Sequence, residues 1–225
     1  MSADMPADRL PKVRQLVVVC AHPDDESFGL GALITGFREA GTLVSTVCFT
    51  HGEASSLGAS KNLGEQRSRE LACAARVLGI KHVRLLDFPD GGLTEVAIGE
   101  LSEHVLQSAS SADALLTFGP GGITGHRDHI RTTQVTVEAG RMLGIHVYAW
   151  AIPRKVAENL NAEFSTSFVG HDREQVDFAV ELRRRLQLRS IRCHQSQSRV
   201  NPVLWRRLQL QGDWEWLLDM TLPGG

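Results

Sequence analysis

The chain has 225 residues and a formal net charge of -2, with 42% hydrophobic and 22% charged residues. A chain of this length can bury a substantial core, and its nearly neutral charge argues against a strongly basic surface for nucleic acid. No apolar run approaches the length of a membrane-spanning helix, so we expect no stable membrane insertion.

Residues 1–14 are polar and include Asp4, Asp8 and two prolines. They predict a flexible lead before a single domain over residues 15–225, and they lack the charged start and apolar middle of a signal peptide. The four cysteines are widely separated and form no C-x-x-C pair. We expect buried, reduced thiols in a cytoplasmic protein, with a disulfide or a thiolate metal site as the second interpretation.

Short apolar runs alternate with helical patterns through the first two thirds of the chain. Runs too short for a helix predict strands over residues 16–21, 43–49, 82–88, 114–118 and 146–152. Apolar residues at helical spacing predict helices over residues 27–40, 65–78, 94–108 and 129–143. This alternation implies right-handed crossovers and an α/β fold, with a Rossmann-like, mostly parallel sheet covered by helices on both faces.

The last third has a different pattern. Residues 164–169 could form an edge strand, and Asp172 with Gln175 three positions later could start a long helix that reaches Ile191. Residues 205–218 look like a segment packed on the body. We therefore expect a C-terminal extension made of helices and an edge strand.

The most informative stretch is His22-Pro23-Asp24-Asp25-Glu26, which directly follows the first predicted strand. In open α/β sheets, ligands bind at the carboxyl ends of the strands. A histidine and a carboxylate three positions apart, in a turn stiffened by proline, can converge on one cation, and the spare carboxylate can handle protons. Consecutive acids after a strand can also mark only a helix N-terminus, where the helix dipole favours them.

A second cluster, Gly125-His126-Arg127-Asp128-His129, follows the strand that ends at Phe118. Loops after different strands meet at one sheet edge, so His22 and Asp25 can combine with either His126 or His129. Three protein ligands and an open position are typical of catalytic zinc, where the pKa of water falls to about 7. The same donors also serve non-haem iron, so Zn2+ and Fe2+ both stay open.

Together the two motifs resemble the zinc-dependent N-deacetylases of the PIG-L/LmbE-like superfamily. That superfamily includes the N-acetylglucosaminyl-phosphatidylinositol de-N-acetylases and the deacetylases of mycothiol and bacillithiol biosynthesis. The resemblance covers about residues 16–197. It is supported by the shorter matches Thr50-x-Gly52-Glu53, Arg67-x-x-Glu70, Asp90-Gly91-x-Leu93 and His194-x-Ser196-Gln197.

The resemblance implies one Zn2+ per chain, held by His22, Asp25 and His129, with Asp24 as the general base. It makes His126 the cationic residue that steadies the tetrahedral intermediate or protonates the leaving amine. A base next to a ligand can reach a water on the metal while staying off the metal itself.

Two neighbours of His126 affect this assignment. Asp128 could hold the imidazole of His126 in its charged form, or it could only cap the helix that follows. Some members of the family have a tyrosine two residues before the first histidine of the second motif, where this chain has Thr124. Oxyanion stabilisation would then fall to zinc and His126.

Substrate contacts are expected from Arg67, Asp90 and His194. Each has an ordinary alternative, namely a solvated helix face, a turn residue and a packing histidine. The basic run Arg183-Arg184-Arg185 is typical of a solvated helix face, so we expect no nucleic-acid partner.

The predicted function is removal of an N-acetyl group from an N-acetylglucosamine-type conjugate, releasing acetate and a free amine. The predicted partner is therefore a small amino-sugar conjugate, and a homo-oligomer is compatible with the shorter members of the family. The alternatives are a metallohydrolase of another amide or ester, an Fe(II) oxygenase with the same ligands, and a non-catalytic, metal-bound sugar-binding protein.

Overall fold

The computed structural model describes residues 7–57 and 61–221. Its strands are Gln15–Cys20 (β1), Leu43–Thr50 (β2), His82–Phe88 (β3), Ala114–Phe118 (β4), His146–Pro153 (β5), Gly170–His171 (β6), Phe178–Glu181 (β7) and Trp214–Asp219 (β8). Its α-helices are Asp25–Phe28 (α1), Gly31–Glu39 (α2), Leu63–Leu78 (α3), Ile98–Ser108 (α4), Gly122–Gly125 (α5), Arg127–Leu143 (α6), Arg154–Phe164 (α7), Arg185–Ile191 (α8), Gln195–Ser198 (α9) and Pro202–Gln211 (α10). Single 3-10 turns occupy Leu93–Glu95 and Arg173–Gln175.

The strands form one sheet in the order β3-β2-β1-β4-β5-β8-β7, with β6 beside β5. Strands β1 to β5 pair in parallel, which confirms the predicted mostly parallel α/β fold. The strand order reverses between β1 and β4. A reversal of this kind opens a crevice at the carboxyl ends of the two strands, where both predicted motifs begin.

Alternate residues of β1 pack into separate cores on the two faces of the sheet. Leu16 and Val18 join the core that contains side chains of α2 and α3. Val17 and Val19 join the core that contains side chains of α4 and α6. Burial on both faces explains why this strand is a continuous apolar run rather than an alternating one.

The predicted helix over residues 27–40 is divided into α1 and α2 at Gly29 and Leu30. A Cβ atom at Gly29 would lie 2.8 Å from Cζ3 of Trp150 and 3.0 Å from Cε1 of Phe118. Only a residue without a side chain lets the chain pass this close to the aromatic rings of β4 and β5. The rings come from distant parts of the chain, so the helical pattern alone did not reveal the division.

The last third differs most from the prediction. Helix α7 was not predicted, and the proposed edge strand over residues 164–169 is wrong, since the short strand there is β6. The predicted long helix from Asp172 is also wrong. Asp172 and Gln175 do form a capping box, but only around a 3-10 turn, and the chain then enters β7. Antiparallel pairing of β7 with β8 imposes a strand where local spacing favoured a helix.

The described part of the predicted lead contacts the body of the protein. The backbone N–H of Asp8 donates to the carbonyl of Ala179 at 2.8 Å, and its carboxylate accepts from Arg173 at 2.7 Å. Leu10 and Val13 pack against the core. Residues 1–6 of the predicted lead lie outside the described residues. Within the described ranges, no helix has the length and apolar character needed to cross a bilayer.

The cysteines divide into two pairs. Cys20 and Cys48 are free and buried, as expected. Cys73 and Cys193 form a disulfide that joins α3 to the turn after α8, so the expectation of reduced thiols is wrong for this pair. The two residues are 120 positions apart, and their contact depends on how α8 packs on α3.

We expect the double variant Cys73→Ser, Cys193→Ser to lower the free energy of unfolding by about 2–5 kcal/mol. The crosslink restricts the unfolded chain over a separation of 120 residues. Denaturant unfolding of the parent and the variant, with and without reductant, measures the change. Reductant should destabilise only the parent, and an equal effect on the double variant would contradict a stabilising disulfide.

Candidate metal and active site

The two predicted motifs meet at the carboxyl ends of β1 and β4. The ring centroids of His22 and His126 are 4.9 Å apart, those of His22 and His129 are 5.2 Å apart, and those of His126 and His129 are 5.1 Å apart. Asp25 reaches the same cluster, with Oδ1 at 3.1 Å from Nε2 of His129. The expected convergence of two distant motifs at one sheet edge therefore occurs.

Backbone hydrogen bonds fix the carboxylate of Asp25. Its Oδ2 accepts the N–H groups of Ala21 and His22, each at 2.9 Å, so Oδ1 is left towards His129. Burial on its own raises the pKa of this carboxyl. The charges of His129 and His22 and the hydrogen bonds outweigh burial and hold the pKa of Asp25 well below its usual range. Asp25 is thus held as an oriented anion.

Hydrogen bonds also orient the two histidines predicted as ligands. Nδ1 of His129 lies 3.2 Å from the carbonyl oxygen of Gly122, which can only accept, so in the neutral ring Nε2 presents its lone pair to the cluster. Nε2 of His22 lies 3.0 Å from Oδ1 of Asp90 and 3.4 Å from Oδ2 of Asp128, while its Nδ1 is 3.9 Å from Oδ2 of Asp25. Carboxylates and carbonyls commonly orient metal-binding imidazoles in this way.

The residues present fit a divalent metal. Two imidazole nitrogens and one carboxylate oxygen from His22, His129 and Asp25 suit Zn2+ or Fe2+. A second combination replaces Asp25 with His126, since ligand atoms of His22, His126 and His129 all lie within 4.8 Å of one another. A third group within the same distance is His22, Asp90 and Asp128. All three combinations contain His22.

Asp24 stands beside this cluster in an unusual backbone conformation. Its φ of 123° is in the region that side chains rarely adopt. Two contacts hold it there: its N–H donates to Oε2 of Glu26 at 3.0 Å, and its Oδ2 accepts from the guanidinium of Arg67 at 2.9 Å. Burial raises the pKa of Asp24 to about 6, against the lowering effect of the Arg67 charge. The carboxylate lines the cavity described below.

Arg67 was predicted as a substrate contact, and the structure shows that it also holds two loops through hydrogen bonds. It lines the cavity, but the residue is only 3% exposed, and its side chain also donates to the carbonyl oxygens of Pro23 and Gly52. A Cβ atom at Gly52, where φ is 65°, would overlap the guanidinium. The close approach explains the glycine of the Thr50-x-Gly52 pattern. Arg67 thus fastens the loop that carries Asp24.

Asp128 does not pair with His126 as predicted, nor does its side chain cap α6. Its carboxylate accepts the N–H of Gly91 at 2.7 Å and that of Leu93 at 3.2 Å, and it contacts His22. The carboxylate therefore orients a different histidine of the cluster. The chain folds this way because the turn after β3 lies against the start of α6, a contact between segments that are distant in sequence.

His126 itself is the N-cap of α6. Its Nδ1 accepts the backbone N–H of Asp128 at 3.2 Å, so in the neutral ring the proton is on Nε2. Burial and the charges of His129 and His22 lower the pKa of His126. The arrangement favours a neutral imidazole over the predicted cation. Such a ring still presents an N–H donor to the cavity that it lines.

Asp90 lines the cavity, as predicted for a substrate contact. Its two oxygens are both engaged by the protein: Oδ1 contacts Nε2 of His22, and Oδ2 accepts the N–H of Ala54 at 2.8 Å. Asp90 therefore joins the histidine cluster to the loop after β2.

His194 is not at the cavity, which corrects its prediction as a substrate contact. Its side chain is fully buried, with Nε2 at 2.6 Å from Oε1 of Glu26. Since Oε2 of Glu26 accepts the N–H of Asp24, the pair supports the turn that carries Asp24 from its buried side. The sequence reasoning missed this role of Glu26, although it stands in the first motif. Nothing local links it to a histidine 168 residues away.

We expect His194→Ala to lower the free energy of unfolding by about 3–5 kcal/mol, because it leaves the fully buried carboxylate of Glu26 without its charged partner. Denaturant unfolding measures the loss. His146→Ala is the control, since His146 pairs with Asp219 at the surface and its side chain is 55% exposed. That variant should lose less than about 1 kcal/mol. Equal losses would contradict the supporting role.

The later part of the His194 motif does reach the site. Ser196 donates to both oxygens of Glu70 through its N–H and Oγ, at 2.9 and 2.6 Å. Gln197 lines the cavity and accepts a hydrogen bond from Ser55 at 2.7 Å. Ser55 and Gln197 are polar cavity residues that the sequence analysis did not single out as contacts.

The three clustered histidines, Asp24 and Asp25 border one cavity of about 540 Å³, a size common for small-molecule sites. The predicted residues on its wall are His22, Asp24, Asp25, Arg67, Asp90, His126 and His129. Thr124 also lies there, at the position of the family tyrosine. Tyr148 is instead buried in the core, so it supplies no phenol to this cavity.

The pattern of the PIG-L family, described as GlcNAc-PI de-N-acetylase, matches residues 17–140. This match covers more than half of the chain and includes both motifs of the cluster. The chain belongs to the PIG-L family.

Two curated relatives in this family are named 1D-myo-inositol 2-acetamido-2-deoxy-alpha-D-glucopyranoside deacetylase. The one from Kineococcus radiotolerans is 31% identical over 166 residues, which are 59% of this chain and 46% of the relative. The one from Acidothermus cellulolyticus is 30% identical over 203 residues, which are 74% of this chain and 70% of the relative. The chain thus spans about half the length of the Kineococcus protein.

A solved structure, the A40926 pseudoaglycone deacetylase Dbv21, has the same fold. The TM-score is 0.72 at 17% sequence identity, and the match covers 93% of this chain and 98% of that one. At this identity the likeness concerns the fold, and the chemistry has to be argued from the residues of the site.

Proposed function

We propose that this PIG-L family member is a metal-dependent hydrolase. It removes the N-acetyl group from an N-acetylglucosamine-type conjugate and releases acetate and a free amine. The observation that carries the proposal is the position of Asp24, an oriented carboxylate beside a cluster of two histidines and an aspartate in one cavity. The names of the curated relatives, which specify a 2-acetamido sugar, support the substrate class.

We assign the metal to His22, Asp25 and His129, with Zn2+ as the proposed ion and Fe2+ as the alternative. When bound there, the metal supplies Lewis-acid activation of the water and of the amide carbonyl. The orientation of both rings supports the assignment, because Nε2 of His129 and Nδ1 of His22 are the nitrogens nearest Asp25. The carboxylate of Asp24 is paired with the guanidinium of Arg67 at 2.9 Å, which suits a base held beside the metal ligands.

In the proposed reaction, Asp24 accepts a proton from the attacking water as the new C–O bond forms. Arg67 and Glu26 hold Asp24 in place through its side chain and its backbone. Nε2–H of His126 donates a hydrogen bond to the carbonyl oxygen as negative charge develops on it. The C–N bond then breaks, and the proton held by Asp24 passes to the leaving amine, which gives acetate and the amine.

The test is acetate release from a panel of N-acetylglucosamine conjugates by metal-analysed protein, with a chelator and after metal is added back. The proposal expects release that stops with chelator and returns with Zn2+. Dependence on dioxygen would instead indicate an Fe(II) oxygenase. Tight binding of a conjugate by fully metal-loaded protein, with no release from any of them, would indicate a sugar-binding protein and overturn the proposal.

A further inference from the structure

The cavity contains more apolar surface than an acetamide requires. We use the name apolar arm for the part lined by Phe28, Phe118, Trp150, Phe168, Val203 and Leu204. These side chains come from the end of α1, from β4 and β5, from the segment after α7 and from α10. Their convergence on the active-site cavity makes the arm a property of the tertiary structure.

The apolar arm begins directly beside the histidine cluster. The ring of Phe118 stacks on His129, with centroids 4.6 Å apart and an angle of 19° between the planes. Trp150 meets Phe118 edge to face at 6.1 Å. A group that occupies the arm would therefore lie directly beside the scissile amide.

The buried guanidinium of Arg207 borders the apolar arm, but its N–H groups are used by the protein itself and do not form a site for an anion. The guanidinium carbon of Arg207 lies 5.0 Å from the ring centroid of Trp150. Its side chain donates to Oε1 of Gln211 and to the carbonyl of Phe28, and the residue is 3% exposed. Arg207 thus positions the walls of the arm, and the arm keeps its apolar character.

The cavity wall also carries polar groups, which suit the hydroxyls of a sugar. Asp24, Arg67, Asp90, Ser55 and Gln197 all lie on it. A cavity with both kinds of wall favours a ligand with both kinds of surface, because apolar walls gain affinity only when an apolar group displaces water from them. The gain is about fourfold for each buried methylene.

We propose that the substrate carries an apolar group next to the scissile amide and that the apolar arm binds it. This group is either an acyl chain longer than acetyl or an apolar aglycone. The inference rests on the proposed function. The reaction is unchanged: water adds to the amide carbonyl, the C–N bond breaks, and a carboxylate and an amine leave.

Binding is measured calorimetrically with the full, metal-loaded chain carrying Asp24→Asn, which blocks the proposed hydrolysis. The probes are N-acetylglucosamine, N-hexanoylglucosamine and hexyl 2-acetamido-2-deoxyglucoside. We expect at least one of the two probes with a six-carbon chain to bind at least about tenfold more tightly than N-acetylglucosamine, since burial of two methylenes already gives a gain of this size. Tighter binding of N-hexanoylglucosamine would place the apolar group on the acyl chain. Tighter binding of the hexyl glucoside would place it on the aglycone. Equal affinities of all three would overturn the inference.

A pair of variants tests whether the gain arises in the apolar arm. Val203→Asp puts a charge into the arm at the first turn of α10, where a carboxylate suits the helix dipole. Val200→Asp is the control, since Val200 is 63% exposed and is not a cavity residue. The affinity for the tighter six-carbon probe, divided by the affinity for N-acetylglucosamine, should fall about tenfold in Val203→Asp. It should stay unchanged in Val200→Asp. A gain that survives Val203→Asp would place the apolar group elsewhere and overturn the inference.

Turnover by the wild-type chain separates this inference from the proposed function. If the chain releases acetate but binds the three probes with equal affinity, the role of the apolar arm is overturned and the proposed function is retained. If metal-loaded protein binds a six-carbon probe more tightly but releases no acyl group from any probe, the proposed hydrolase function is overturned. The apolar arm would then be the binding site of a protein that does not hydrolyse its ligand.

Discussion

The Asp24→Asn variant should lose turnover by about 10²- to 10⁴-fold and keep its metal. A positioned general base contributes an effect of this size, and the amide cannot accept the proton from water. Asparagine preserves the shape of the side chain and is among the residues that best tolerate a positive φ, here 123°. Steady-state acetate release and elemental analysis of the same preparation give the two readouts.

The adjacent carboxylate supplies the matched control. Asp25→Asn should lose both metal and turnover, because Asp25 faces His129 at 3.1 Å. The two residues are neighbours in the chain but are held by different groups, Asp24 by Arg67 and Asp25 by backbone N–H groups. If Asp24→Asn lost the metal while Asp25→Asn kept it, base and ligand would have to be exchanged.

The second large effect is expected from His129→Ala. Removing this imidazole should weaken metal binding by at least about 100-fold, since even partners of metal ligands contribute 10- to 100-fold. Turnover should disappear with the metal. Metal content after dialysis against a weak chelator measures the first effect, and acetate release at saturating Zn2+ measures the second. Retention of the metal by His129→Ala would contradict the assignment.

His126→Ala decides between the two ligand sets that contain His129. With Asp25 as the third ligand, this variant should keep the metal and lose turnover by about 10²- to 10³-fold, as for removal of an oxyanion donor. With His126 as the third ligand, the metal itself would be lost. Unfolding curves of both histidine variants establish that folded proteins are being compared.

The sequence was a good guide to the first two thirds of the fold. Strand His82–Phe88 and strand Ala114–Phe118 have the predicted bounds. A strand buried on both faces is a short continuous apolar run, which is visible locally. Errors appeared where two patterns coincide, as at Phe178–Glu181, whose apolar residues also fit a helical spacing. Pairing with Trp214–Asp219 decided in favour of the strand.

The same distinction applies to the site. His22, Asp24, Asp25, His126 and His129 were predicted to converge because each follows a strand of a parallel sheet, and they do meet at its edge. The partner of each group was harder to predict. Asp128 orients His22 rather than His126, and His194 supports Glu26 from the interior. These pairings depend on the angles at which helices and loops pack.

The sequence by itself determined the α/β class, the two motif loops and the edge of the sheet where they meet. These follow from local periodicity and from the rule that parallel strands end on one side. Tertiary structure alone decided the disulfide between Cys73 and Cys193, the contact of Arg67 with Asp24 and the apolar arm. Each of these joins segments that no local period connects, so only the packed chain brings them together.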